Sequence, residues 1–190
     1  MSQDAFVAWA RAHAIPISIP ETDDSYDDLR FLDGWLDEKR ILLVGESAHY
    51  LHEWNRWRAR LFKYLALHHG YTTFVLECGL VEGRLVHDYV AGADTQWNEI
   101  ARAINNVWGV WAEINELIRW MREWNARPDR PFELRFYPMD GTANWTHAGR
   151  AYEAVHAFAA RVDPALAEDM EAWLAGGVAE VSLADRTEVS

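Results

Sequence analysis

The chain has 190 residues, half of them apolar and 13% aromatic with 11 tryptophans, and it carries a formal net charge of −12. That length suits one domain with a sizeable core, and the composition excludes a disordered or low-complexity protein. The negative charge, with no basic stripe to offset it, excludes nucleic acid and anionic membrane surfaces as favoured partners and leaves a small-molecule role.

The start, MSQDAFVAWARAHAIP, has neither a basic n-region nor a long apolar h-region. The single cysteine, Cys78, cannot make an internal disulfide, and no apolar run approaches the roughly 20 residues of a membrane-spanning helix, so a cytoplasmic location is expected. Asp4 to His13 places Phe6, Trp9 and Ala10 at helical spacing and reads as a short packing helix. The acidic segment PETDDSYDD then leads, with Asp24 or Ser25 as N-cap, into a helix reaching Asp37 that sets Leu29, Leu32 and Leu36 on one face.

Ile41 to Val44 is β-branched at both ends and free of charge, which predicts a strand covered on both faces, as in a parallel sheet. Gly45 ends it, so Glu46, Ser47, Ala48 and His49 occupy a strand-to-helix turn. A helix from Leu51 to His69 follows, with Trp54, Trp57, Leu61, Tyr64 and Leu65 on one arc and Arg56, Arg60 and Lys63 opposite. Arg58 falls inside the apolar arc, where a guanidinium needs an anion; burial beneath the strand ends, paired with Glu46, Glu77 or both, is expected. After Gly70, Thr72 to Leu76 is a second strand ending at Glu77, Cys78 and Gly79. Helices are expected over Val81 to Val90, Gln96 to Ile104 and Trp111 to Asn125, then a third strand from Phe132 to Tyr137, with Asp140 just beyond it. His147 to Val162 and Pro164 to Trp173 read as two further helices.

Alternating strands and helices predict an α/β fold, a parallel sheet flanked by helices, with all strand C-termini on one rim. Glu46, Glu77 and Asp140 each follow a predicted strand there, with His49 among them and Arg58 facing them. Crowded carboxylates raise each other's pKa and a cation relieves this, an arrangement that suits a histidine base supported by acids. The plainer alternative is that these acids cap the following helices and Arg58 is a structural counter-ion. Ser47 lies in a turn that begins like a nucleophile elbow, but His49 occupies the place of the second glycine and stands too close in sequence to orient onto the serine. His49, His52 and Glu53 with Glu77 offer donors for a divalent metal, yet the spacing matches no strong zinc motif, so neither a metal nor another cofactor is expected. His68 and His69 are explained by the helix C-terminus, and Trp108, Trp111, Trp120 and Trp124 by core packing before substrate walls.

Gly45-Glu46 with His49, then Glu53 and Arg58, FVLECGLVEG at Phe74 to Gly83, IRWMREWN at Ile118 to Asn125 and FYPMD at Phe136 to Asp140 resemble the erythromycin esterase family. The resemblance implies that His49 is the base that activates water against an ester or macrolide lactone and that Glu46 supports it. Glu77 and Arg58 match acidic and basic site residues; Glu53, Asp140 and Trp108 are expected to contact substrate. The organisation expected is a helical cap over residues 1–38, an α/β core over 39–145 and C-terminal helices over 146–190 that open a further helical region, as in the amino-terminal half of a family member. A second histidine motif usual in the family has no counterpart after Asp140, which leaves a binding module without turnover as the alternative. The expected partner is a small ester or lactone; the oligomeric state is not legible.

Overall fold

The computed structural model of the chain describes residues 2–19, 25–45, 48, 51–104, 111–140 and 148–175. Helix α1 (Gln3–His13) opens with Ser2, whose hydroxyl accepts from the Ala5 amide at 3.2 Å, and buries none of its residues. A 3-10 helix (Asp27–Leu32) and the single turn α2 (Asp33–Leu36) follow. The longest helix, α3 (His52–His69), ends at Gly70, whose φ of 73° is the left-handed conformation that glycine adopts without steric cost. Then come β1 (Thr73–Gly79), α4 (Leu80–Val90), α5 (Trp97–Ala103), α6 (Ala112–Ala126), β2 (Arg135–Asp140), α7 (Ala148–Val162) and α8 (Pro164–Trp173). In α8, Pro164 stands at the first position, where its missing N–H costs nothing, and Asp163 caps the helix through the Leu166 amide.

β1 and β2 pair in parallel, Thr73 opposite Arg135 and Gly79 opposite Asp140, with an irregularity after Leu76. This is the α/β arrangement expected: a crossover of helices carries the chain from one parallel strand to the next. Alternation decides what each face does. Phe74, Leu76 and Cys78 turn inward with Phe136 and pack with Phe62, Val86, Ile114, Leu117, Ile118 and Met121 of α3, α4 and α6. Thr73, Val75 and Glu77 turn outward and stay exposed. Asn125 locks the layers together: its Nδ2 donates to the carbonyls of Val90 (2.9 Å) and Leu134 (2.7 Å), and its Oδ1 accepts from the Leu134 amide (2.8 Å).

Four expectations change. Ile41 to Val44 has the composition of a doubly covered strand, yet it has no regular secondary structure, and Ile41 and Leu43 are 78% and 88% exposed. A strand needs an edge to bond and elements to cover it; residues 41–45 pair with neither β1 nor β2, and among the described residues that sheet is covered on one face only. The third strand lies three residues later than expected, because Phe132 is held by stacking on Trp124, whose indole donates to the Phe132 carbonyl at 3.0 Å. Pro138 is tolerated within β2, since among the described residues the strand has β1 as its one neighbour. The helix expected from Asp24 or Ser25 to Asp37 is a 3-10 helix and one α-turn. Finally, Arg60, assigned to the solvent face of α3, is 1% exposed. The 3-10 helix roofs that face: Arg60 donates to both oxygens of Asp28 (3.0 and 2.5 Å) and to the Ser25 carbonyl, and lies over the Tyr26 ring.

Candidate functional site

The parallel pairing brings the C-terminal ends of both strands to one edge, and Gly79 passes directly into α4, so groups from β1, β2 and the first turn of α4 converge. Cys78 is fully buried at this edge. Burial pushes its thiol up to about 12, and the negative charges of Glu82 and Asp140 add to the effect. Glu82 is itself buried, and its Oε1 has no hydrogen-bond partner among the described residues. Close packing leaves no room for more here: a Cβ on Gly83 would lie 2.5 Å from Pro138 Cβ and 3.0 Å from Cys78 Sγ.

The N-terminal half of α3 contributes a second set. Arg58 is buried, as its wheel position predicts, and its Nη1 donates to Oδ1 of the fully buried Asn55 at 3.4 Å. His52 Nδ1 lies 2.5 Å from Glu113 Oε1 in the first turn of α6, and Arg56 Nη1 lies 3.4 Å from Glu116 Oε2. Trp54 and Trp57 stack at 5.2 Å. At the other end of the helix a cleft of about 480 Å³ is lined by Tyr26, Asp33, Tyr64, His68 and His69 among others. Asp33 accepts from the Tyr64 hydroxyl and lies 2.9 Å from His69 Nε2, and these bonds hold its carboxyl below the usual range. The cleft is some 24 Å along the helix from His52, at about 1.5 Å per residue, and takes no part in the strand-end edge.

Of the residues singled out in the sequence, Glu46, His49 and Trp108 lie outside the described residues. Glu53 is exposed in the first turn of α3. Asp140 is the last residue of β2 and sits beside Cys78 and Glu82. Glu77 is within β1, not beyond it, and it faces the open side of the sheet; it makes no ion pair with Arg58. The structure therefore sets Asp140 and Glu82, an acid not singled out in the sequence, near the Cys78 thiol, and it places Asn55 beside Arg58, while Glu46, the other acid expected there, lies outside the described residues. A signal for Glu82 was present, since it stands four and eight residues before Val86 and Val90, both buried on the same stripe of α4.

A family model described as erythromycin esterase matches residues 66–185, well over half of the sequence. The chain belongs to the erythromycin esterase family. It is 29% identical over 120 residues to erythromycin esterase type II of Escherichia coli, an alignment covering 63% of this chain and 28% of that protein. A crystal structure of a Bacillus cereus protein superposes with a TM-score of 0.69 at 23% identity, covering 93% of this chain and 41% of the other. A succinoglycan biosynthesis protein superposes with a TM-score of 0.66 at 20% identity, over 92% and 43% of the two chains. At these identities the structural likeness establishes the fold alone. The chain thus spans less than half the length of the relatives it matches. Glu77, Glu82, Glu113 and Asp140 fall within the family match, whereas Glu46, His49 and Arg58 precede it.

Proposed function

We propose that the chain is a hydrolase of the erythromycin esterase type, acting in the cytoplasm on an ester or macrolide lactone. The observation that carries this is the family match over residues 66–185, joined to the GE-x-x-H stretch from Gly45 to His49 just ahead of it. In this reading His49 takes a proton from water as the water oxygen attacks the acyl carbon, and Glu46 supports the resulting imidazolium. The buried guanidinium of Arg58 supplies positive charge for the developing oxyanion. Glu77 stands with these catalytic groups as the acidic site residue that the family resemblance implies, and Glu53, Asp140 and Trp108 complete the site by contact with substrate. No metal or other cofactor enters the reading.

The test is a panel of macrolide lactones and simple aryl esters assayed with the wild-type protein and His49→Ala. Hydrolysis by the wild type that the substitution abolishes, with circular dichroism unchanged, is the expected result; hydrolysis that survives the substitution removes His49 from the base role. The second reading is binding without turnover, with tryptophan-rich walls that take up an apolar ligand. Titration of tryptophan fluorescence with a macrolide separates the two: a saturable change without product supports it.

A further inference from the structure

The reading above gives the reaction a base and a positive charge for the oxyanion, but no donor for the alkoxide that must leave. His52 and Glu113 form a pair that nothing in that reading uses. Glu113 occupies the first turn of α6, where the free N–H groups and the helix dipole favour a carboxylate. Its side chain is 8% exposed, its Oε1 lies 2.5 Å from Nδ1 of His52, and its Oε2 is buried with no hydrogen-bond partner among the described residues. A carboxylate accepts and cannot donate, so Nδ1 carries the proton shared with Glu113, and the general acid proposed below is the imidazolium form of this ring. The ring of His52 is 52% exposed, and among the described residues its Nε2 meets no partner. An imidazole is therefore clamped at one nitrogen and offered to solvent at the other, on the first residue of α3 and three residues after His49. Simple surface pairing explains this poorly, because a surface pair leaves both partners solvated, whereas here the acid is buried and the histidine alone is accessible.

The geometry points to His52 as the general acid of the hydrolysis, with Glu113 as its positioning residue; the assignment rests on the ester-hydrolase reading. The water oxygen forms its bond to the acyl carbon while one of its protons passes to His49. The tetrahedral intermediate then collapses: the bond from carbon to the leaving oxygen breaks, and the Nε2 proton of His52 moves to that oxygen, so that an alcohol and a carboxylic acid are released. His49 and His52 return to their starting states by proton exchange with solvent.

Leaving-group dependence tests this directly. An alkyl ester or lactone expels a basic alkoxide that needs the proton, whereas p-nitrophenyl acetate expels a phenolate that does not. His52→Gln should slow alkyl ester hydrolysis about 100-fold or more, within the range for general acid catalysis, and change p-nitrophenyl acetate hydrolysis less than about 3-fold. Glu113→Gln, nearly the same shape, should show the same pattern at about 10-fold, which keeps the test open if His52→Gln does not fold. Equal losses on both esters, or none on either, would overturn the assignment while leaving the hydrolase reading intact, provided that His49→Ala abolishes both activities. Absence of any His49-dependent turnover by the wild type would instead sink the hydrolase reading and this assignment with it.

Discussion

Arg60→Ala tests the corrected view of α3 most sharply, because the helix wheel assigns this residue to water and the structure buries it. Truncation removes two bonds to Asp28 (3.0 and 2.5 Å), one to the Ser25 carbonyl and the cation over Tyr26 at 5.3 Å. The guanidinium bond is the main reason that the Asp28 carboxyl is held at about 2 against an ordinary 3.8. A difference of that size corresponds to roughly 2 kcal/mol. The Asp28 side chain is 21% exposed, so solvent screening reduces this share to about 1–2 kcal/mol. The stranded Ser25 carbonyl and the lost stem methylenes add about 1–2 kcal/mol more. A total near 3 kcal/mol should appear as a lower urea midpoint, followed by tryptophan fluorescence at pH 7. The sign of the pH dependence follows from the depressed carboxyl: its contribution is present above about pH 4 and lost as pH falls toward 2. The gap between wild type and variant should therefore be full at pH 7 and narrow steadily below pH 4, and Asp28→Asn should cost less in the Arg60→Ala background than alone. A loss under about 0.5 kcal/mol, or a gap that stays constant down to pH 3, would show that Arg60 is an ordinary solvated arginine.

Two further outcomes follow from the strand-end edge. Gly83→Ala would put a methyl 2.5 Å from Pro138 Cβ, 2.8 Å from Pro138 Cγ and 3.0 Å from Cys78 Sγ, and neither the proline ring nor the buried thiol can swing aside. The overpacking should cost about 1–3 kcal/mol and lower the melting temperature, whereas an unchanged melting curve would mean that α4 does not sit this close to β2. Cys78, with its thiol raised to about 12, should resist iodoacetamide at pH 8.5 in the folded protein and react readily in urea, as followed by mass spectrometry. Its raised pKa also contributes stability that is present below about pH 9 and lost as pH rises toward 12; rapid labelling of the native protein would contradict the burial.

The parallel strand pair, the long helix and the helix that returns to β2 were all legible, because each is marked by a periodicity and a stop: 3.6-residue stripes ended at Gly70 and at Arg127 before Pro128, and a β-branched run ended at Gly79. Local signals of this kind say what a segment can become. They do not say whether a neighbour is there to receive it, which is why Ile41 to Val44 reads as a covered strand and lies exposed. The same limit misplaced Arg60. A helix wheel orders residues around an axis, but the partner that buries Arg60 is Asp28, thirty-two residues earlier, on a segment whose path over α3 leaves no periodic trace.

The site divides in the same way. Glu46 and His49 were singled out by a motif, and Arg58 by an arginine placed where only apolar residues belonged, a physical anomaly that the structure bears out as burial. The acids passed over obey the identical logic with the sign reversed. Glu113 continues the stripe of Leu117 and Met121 at four-residue steps, as Glu82 continues that of Val86 and Val90, and all six are buried. Counting only apolar residues when tracing a stripe truncates it at the point where a charge enters the core. An acid that extends an apolar stripe by one turn has to be desolvated along with it, so it needs a hydrogen-bond donor or a task. For Glu113 that donor is His52 at 2.5 Å, so the pair joins the first turns of α3 and α6, where a search for charged residues in loops could not have found it.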